Sequence, residues 1–458
     1  MFRVSAGSSG KYCDGMSRRS FVQVGVAGMA SVSLADVLRA RENSTATGSR
    51  KDTSVILIWL DGGPGHLDMY DMKPEAPSEV RGIWRPIRTN VSGMEISELF
   101  PLQAKVADKF SIIRSLHHDT GDHFTAGHLM LTSRGGVSGA ATPGKSPSLG
   151  SIAAKMCGPR QAGMPPYIAV PHASSIGLRP GYFGANYLGL EHNPFESDGD
   201  PNDQNFRVNN LNLANGLTID RLEDRRGLLQ VMDSARRVVD NAHQFQTLDR
   251  FHQQAFELVV GDAGRKAFDI AQEDAGLRDR YGRHTWGQST LLARRLVEAG
   301  STFVTVHFGG WDHHWDLQKG MENYLPKVDS AVATLLEDLS NRGLSEKVLV
   351  VLCGEFSRTP RMNNGGNGGA PLSMGTPGRD HWGNSMFCLM GGGGVQGGRI
   401  VGSTTAHGDA PKDRPLTPSD IHATIYHVLG VDPAVQFLDQ AGRPVPAIDS
   451  GEAIRELI

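Results

Sequence analysis

Acidic and imidazole side chains gather in four short stretches of the chain: LDGGPGH, GGWDHHWD, GEFSRTP and GRDHW. Together these supply Asp61, His66, Asp312, His313, His314, Glu355, Asp380 and His381. Carboxylates and imidazoles are the donors that hard and borderline divalent ions prefer. Each stretch reads as the loop that follows an apolar run. In an open α/β sheet, loops leaving the carboxyl ends of strands converge on one crevice. Clusters so placed have the pattern of a metal-dependent active site.

The expected roles differ from cluster to cluster. Asp61 closes the run TSVILIWL, and Gly62-Gly63-Pro64 forces a turn where a ligand or backbone can approach closely. Asp61 is therefore expected to bind a metal. Asp312 and His314 stand two apart, a spacing that brings both to one point only in a turn. Glu355 leaves another apolar run, and Arg358 beside it offers a planar fork suited to phosphate or sulfate. His381, with Asp380 next to it, is expected as a further ligand. The run HHDTGDHFTAGH is the richest and ends in a helix-like pattern. A helix N-terminus favours anions and activates nucleophiles, so Thr120, His123, Thr125 and His128 are candidates for nucleophile, acid/base or ligand.

These loops need a frame. Residues 53–60, 110–116 (FSIIRSL), 301–308 (STFVTVHF), 347–353 (KVLVVLC) and 385–391 (SMFCLMG) are apolar, β-branched runs of the kind buried in parallel sheets. Helical patterns separate them. STLLARRLVEAG closes on a glycine, and Val328, Val332, Leu335, Leu336 and Leu339 repeat at helical spacing. In TPSDIHATIYHVLG, Thr417 is expected as N-cap, Pro418 as first helical residue and Gly430 as the stop. Such alternation predicts an α/β fold with a mostly parallel central sheet covered by helices on both faces. Residues from 217 to about 282 are highly charged and helical in pattern, and are expected to form a helical insertion. The segment GGGGVQGG opens no helix and reads as a turn rather than a dinucleotide fingerprint.

Bulk composition excludes some classes. The 458 residues carry 46 Lys+Arg against 49 Asp+Glu, so no global field favours nucleic acid. The four cysteines show no CxxC spacing, and Cys353 and Cys388 read as buried free thiols. Arg18 and Arg19, then Phe21 and the weakly apolar VGVAGMASVSLA, resemble a twin-arginine export signal. That stretch is too short for a stable membrane span. Ser33-Leu34-Ala35 fits a signal peptidase site. The expected organisation is a signal peptide over 1–35, a linker over 36–50, and one domain over 51–458. The twin-arginine export machinery is thus an expected partner, and the periplasm or exterior the expected location.

LDGGPGHLDMYDMKP, SELFP, IIRSLHH, LLARRLVEAG, GGWDHH, GEFSRTPRMN, GRDHW and TPSDIHATIYHVLGVDP, in this order from about 55 to 435, resemble the bacterial domain-of-unknown-function family 1501. That family is grouped with the alkaline phosphatase/sulfatase superfamily. The resemblance implies a three-layer α/β/α sandwich with one or two divalent ions (zinc, calcium, magnesium or manganese) at the carboxyl edge of the sheet. It implies hydrolysis of phosphate or sulfate esters of small molecules or polysaccharides. Asp61 matches the superfamily's metal-binding Asp after the first strand, Asp312 and His314 its later Asp/His pair, and His381 its last His ligand. Glu355-Phe356 stands where the superfamily usually has Asp-His, so a second ion would depend on Asp380 or another His. His123 falls where sulfatases carry their modified Cys, and Thr125 is the nearest hydroxyl. Two other readings stay open: a metal-stabilised envelope or binding protein without catalysis, and a phosphomutase or transferase on the same fold.

Overall fold

A computed structural model describes residues 52–135, 144–208, 262–363 and 376–458. The signal-like stretch, the linker and residues 217–261 of the expected insertion lie outside the described residues. The described end of the insertion region carries two short helices.

Eight strands build the central sheet. In chain order they are β1 (Ser54–Asp61), β2 (Phe110–Leu116), β3 (Tyr167–Val170), β4 (Phe195–Glu196), β5 (Phe303–Gly309), β6 (Val348–Cys353), β7 (Met386–Gly392) and β8 (Ile400–Val401). Their spatial order is β8-β2-β7-β6-β1-β5-β3-β4. All neighbours pair in parallel except β7, which runs antiparallel to both β2 and β6. The helices are α1 (His123–Thr132), α2 (Leu149–Cys157), α3 (Asp262–Phe268), α4 (Ala275–Tyr281), α5 (Thr285–Glu298), α6 (Leu317–Asn341) and α7 (Pro418–Leu429).

The sandwich follows from the period of two along β1. Ile56, Ile58 and Leu60 enter one core with Leu291 and Leu296 of α5 and Leu325, Val328 and Val332 of α6. Val55, Leu57 and Trp59 enter the other with Met130 of α1, Ile152 of α2 and Ile421 and Ile425 of α7. Every residue of β1 is buried, which is why the run is continuously apolar rather than alternating. Each such side chain contributes roughly 1.5–3 kcal/mol of burial, so a charge at Ile58 would disrupt the centre of the sheet. The ends of α7 are as expected: the Thr417 N–H donates to Asp420 at 2.7 Å, and Gly430 closes the helix with φ 69°.

The direction of β7 places the site. The carboxyl ends of β1, β2, β5 and β6 share one edge of the sheet, and the antiparallel β7 begins there. GRDHW therefore does not follow a strand, as expected, but precedes one, and reaches the same edge from the opposite direction.

Candidate metal centre

The turn after β1 sets the floor of this edge. Gly62 has φ +116°, and a Cβ there would lie 2.7 Å from the Asp312 nitrogen. Gly63, at φ +82°, leaves no room for a side chain beside the Phe356 ring. Only glycines let the β1 turn pass this closely beneath the loops that leave β5 and β6. The Trp311 N–H donates to the Asp61 carbonyl at 3.1 Å and fixes the position of Asp312. The Gly62 N–H donates to Glu355 Oε1 at 2.8 Å.

Asp312 is the hub. His314 Nε2 and His381 Nε2 each lie 3.1 Å from its Oδ1, and His123 Nε2 lies 3.4 Å from its Oδ2. The His314 and His381 Nε2 atoms are 2.9 Å apart. His123, Asp312 and His381 offer donor atoms that all lie within 4.8 Å of one another.

The other ring nitrogen decides what these atoms can do. His381 Nδ1 lies 2.7 Å from the Gly121 carbonyl, which can only accept, so Nδ1 carries the proton. His314 Nδ1 donates to Asp380 Oδ1 at 2.7 Å, and His123 Nδ1 to Glu355 Oε1 at 2.8 Å. In their neutral forms all three rings thus present an Nε2 lone pair to Asp312. Two lone pairs facing each other at 2.9 Å require a cation between or beside them. In the metal-free protein a proton fills that need: hydrogen bonding to Asp312, although opposed by burial, raises the His314 pKa, with Asp380 adding to it. Burial depresses His123, but hydrogen bonds to Asp312 and Glu355 outweigh it and push it up to about 9. Asp312, which burial alone would raise, is held far below the usual carboxylate range by His123, His314, His381 and Arg358. Burial also pushes Glu355 upward. Metal-bound imidazoles characteristically donate their second N–H to a carboxylate or carbonyl, as all three do here. The donor set fits a metal.

Several expected residues stand behind or beside these donors. Asp380 Oδ1 accepts from His314 Nδ1 and Glu355 Oε1 from His123 Nδ1, while Glu355 Oε2 is buried with no hydrogen-bond partner. Arg358, expected as the fork for a transferred phosphate or sulfate, is fully buried. It donates Nε to the Gly63 carbonyl at 2.7 Å, Nη1 to the Arg379 carbonyl at 3.2 Å, and Nη2 to Asp312 Oδ1 at 2.7 Å and to the Gly62 carbonyl. It ties three loops together and has no face left for an incoming group. The Thr125 hydroxyl donates to Asp122 Oδ1 at 2.7 Å and serves the N-terminus of α1. The Asp61 carboxylate accepts from Ser175 Oγ and the Ile176 N–H, both at 2.7 Å, and lies 3.2 Å from His307 Nε2. It stands on the same edge but with its own partners. Phe356 packs 4.8 Å from the His123 ring and 4.5 Å from the His381 ring, a hydrophobic wall where a further ligand was lacking.

Two groups escaped the sequence reading. His307 interrupts the apolar alternation of β5 near its end, a signal that was available. Arg379 pairs with the equally buried Asp68 at 3.0 Å and anchors the segment bearing Asp380 and His381. Nothing local marks that pair.

A family model described as "Protein of unknown function (DUF1501)" matches residues 52–458. Several solved structures are similar over most of the chain. One is an alkaline phosphatase from the Antarctic bacterium TAB5, with 12% identity, TM-score 0.35, and 83% of this chain and 98% of that one covered. Another is a protein of the alkaline phosphatase superfamily from Vibrio parahaemolyticus, with 10% identity, TM-score 0.39, and 83% and 67% covered. A third is a sulfatase from Pseudoalteromonas sp., with 15% identity, TM-score 0.36, and 85% and 70% covered. No relative among curated proteins matches the chain.

Proposed function

Because the chain belongs to the DUF1501 family, and because its sheet edge gathers imidazoles around a carboxylate, we propose that it is an exported metal-dependent hydrolase of phosphate or sulfate esters. The activity would resemble that of alkaline phosphatases and sulfatases. The observation that carries this reading is the pair of Nε2 atoms of His314 and His381, 2.9 Å apart, whose Nδ1 atoms are both committed to acceptors.

His314, His381 and Asp312 would hold the ion, with His123 beside them. An imidazole-rich set suits zinc better than calcium, magnesium or manganese, which prefer oxygen ligands. When bound, such an ion serves as a Lewis acid toward the ester oxygens. The residues of the chain do the rest. Glu355 and Asp312 hold His123 charged near neutral pH, so its Nε2–H would serve as a donor to the anionic ester or its leaving group. The positive end of α1, at His123, favours an anionic ester. Phe356 keeps bulk water from one side. Asp61, with both oxygens engaged, and Phe356, with no donor, support one ion rather than two. Small-molecule or polysaccharide esters would be the substrates.

Purified full-length protein, stripped of metal and then reloaded, should turn over one class among aryl phosphates, phosphodiesters and aryl sulfates. His381→Ala should abolish that turnover; activity surviving in the variant would mean contamination. Replacing Arg18 and Arg19 by Lys should retain the protein inside the cell if the twin-arginine route carries it. Among the described residues no helix is long and apolar enough to cross a membrane.

A second reading, a metal-stabilised binding or envelope protein, draws on specific observations. The Thr125 hydroxyl is taken by Asp122 and the Arg358 guanidinium by backbone carbonyls, so neither is free for catalysis. A loaded protein inert toward all three ester classes would favour it.

A further inference from the structure

Asp380 stands beside a ligand in sequence but behind one in space. Its Oδ1 accepts from His314 Nδ1 at 2.7 Å, while His314 Nε2 faces Asp312 and His381. Asp380 is itself held from several sides. Its N–H donates to Thr359 Oγ1 at 3.0 Å, and its carbonyl accepts from the Thr359 N–H at 2.8 Å. Asn363 Nδ2 reaches both Asp380 Oδ1, at 3.3 Å, and the His314 carbonyl, at 3.1 Å. The Arg379–Asp68 pair anchors the residue just before it. Imidazole and carboxylate are thus locked in one mutual orientation by groups that never approach the converging donors.

We propose that Asp380 is a positioning residue acting through His314: it fixes the Nδ1–H tautomer, aims Nε2 at the ion and raises the basicity of that nitrogen. The inference rests on the metal-dependent reading above but is separable from it. A carboxylate behind an imidazole does more than a neutral acceptor. Gly121 offers His381 only a carbonyl, so the two rings are not equivalent, and His314 is the stronger donor. Loss of such an outer partner typically weakens metal binding by about 10–100-fold.

The test is metal affinity, measured by competition with a chromogenic chelator on full-length protein loaded with zinc. Asp380→Ala should weaken binding by about 10–100-fold, and Asp380→Asn, which keeps an acceptor but not the charge, by an intermediate factor. Melting temperatures in excess chelator should match wild type for Asp380→Asn, so the affinity change would not be a folding defect. Wild-type affinity in both variants would overturn the inference while leaving the metal reading intact. A wild-type protein that binds no zinc would sink the metal reading itself. Equal weakening by Asn and Ala would overturn the role assigned to the carboxylate charge.

Discussion

Histidines occur in two settings among the described residues, half-buried at the sheet edge and buried in the interior, and they pair differently. At the sheet edge, His123, His314 and His381 each satisfy one ring nitrogen with an acceptor and turn the other toward Asp312. In the interior, His66 satisfies both: Nε2 donates to the Gly408 carbonyl at 2.7 Å, and Nδ1 accepts from Ser357 Oγ at 2.6 Å. His422 donates to the Met130 carbonyl at 2.8 Å and packs within the α1–α7 core. Burial lowers the pKa of both, His422 to about 4. His66 is thus paired at both ring nitrogens, whereas the edge rings leave Nε2 turned toward Asp312, the arrangement on which the proposed metal site rests. His66, expected among the candidate ligands because it shares a motif with Asp61, is therefore of the paired kind. His313 fits neither kind: its ring packs 5.4 Å from that of Tyr324, its buried Nδ1 has no hydrogen-bond partner, and burial lowers it to about 4.

Substitutions should separate the two settings. The largest effect is expected for Asp312→Ala. Zinc binding should fall below detection in equilibrium dialysis. Urea unfolding should also show a loss of about 2 kcal/mol, because the buried Arg358 loses its partner; the cost is less than for a fully enclosed pair since Asp312 keeps 37% exposure. Retained stoichiometric zinc would break the contrast. His66→Ala should do the reverse. It leaves Ser357 and the Gly408 carbonyl unpaired and opens a cavity, costing about 3 kcal/mol, yet the folded fraction should bind zinc as wild type does.

Next in size is a pH effect in the interior. His422 takes its proton near pH 6.5 when unfolded but only near 4 when folded, so its contribution is fully present above pH 6.5 and lost as pH falls toward 4. The loss amounts to about 2–3 kcal/mol. His422→Leu should flatten that part of the stability–pH curve, measured as the difference in urea midpoint from wild type between pH 7 and pH 4.5. An unchanged slope would remove the claim that this ring folds neutral. The smallest effect is expected for Thr125→Ala: under about 1 kcal/mol from the weakened helix start, with ester turnover within about twofold of wild type. A collapse in turnover would instead make Thr125 the nucleophile.

What the sequence made legible was local. β1 announces itself as eight consecutive buried residues, and α7 carries its start and stop in Thr417, Pro418 and Gly430. The start of α1 near His123 was readable as well. β3 was not, being only four residues long between prolines, which signal loop rather than strand. SMFCLMG reads as a buried strand, but its direction depends on partners in β2 and β6 far along the chain. The meeting of Asp312, His314 and His381 was expected; the placing of Asp380 and Glu355 against the Nδ1 atoms of His314 and His123 was not. Both have the right chemistry to bind a metal, and only the orientation of the rings beside them shows that each also accepts from an imidazole. Arg358 is the same lesson with opposite charge: a fork that looks made for an anion is consumed by the carbonyls of Gly62, Gly63 and Arg379.

The measurement that bears most directly on this picture is an anomalous-scattering map of crystals grown from zinc-loaded protein, collected above and below the zinc edge. One peak should appear in contact with His314 Nε2, His381 Nε2 and Asp312. No peak there, or one centred instead on Asp61 and His307, would show that these lone pairs face each other for some other reason.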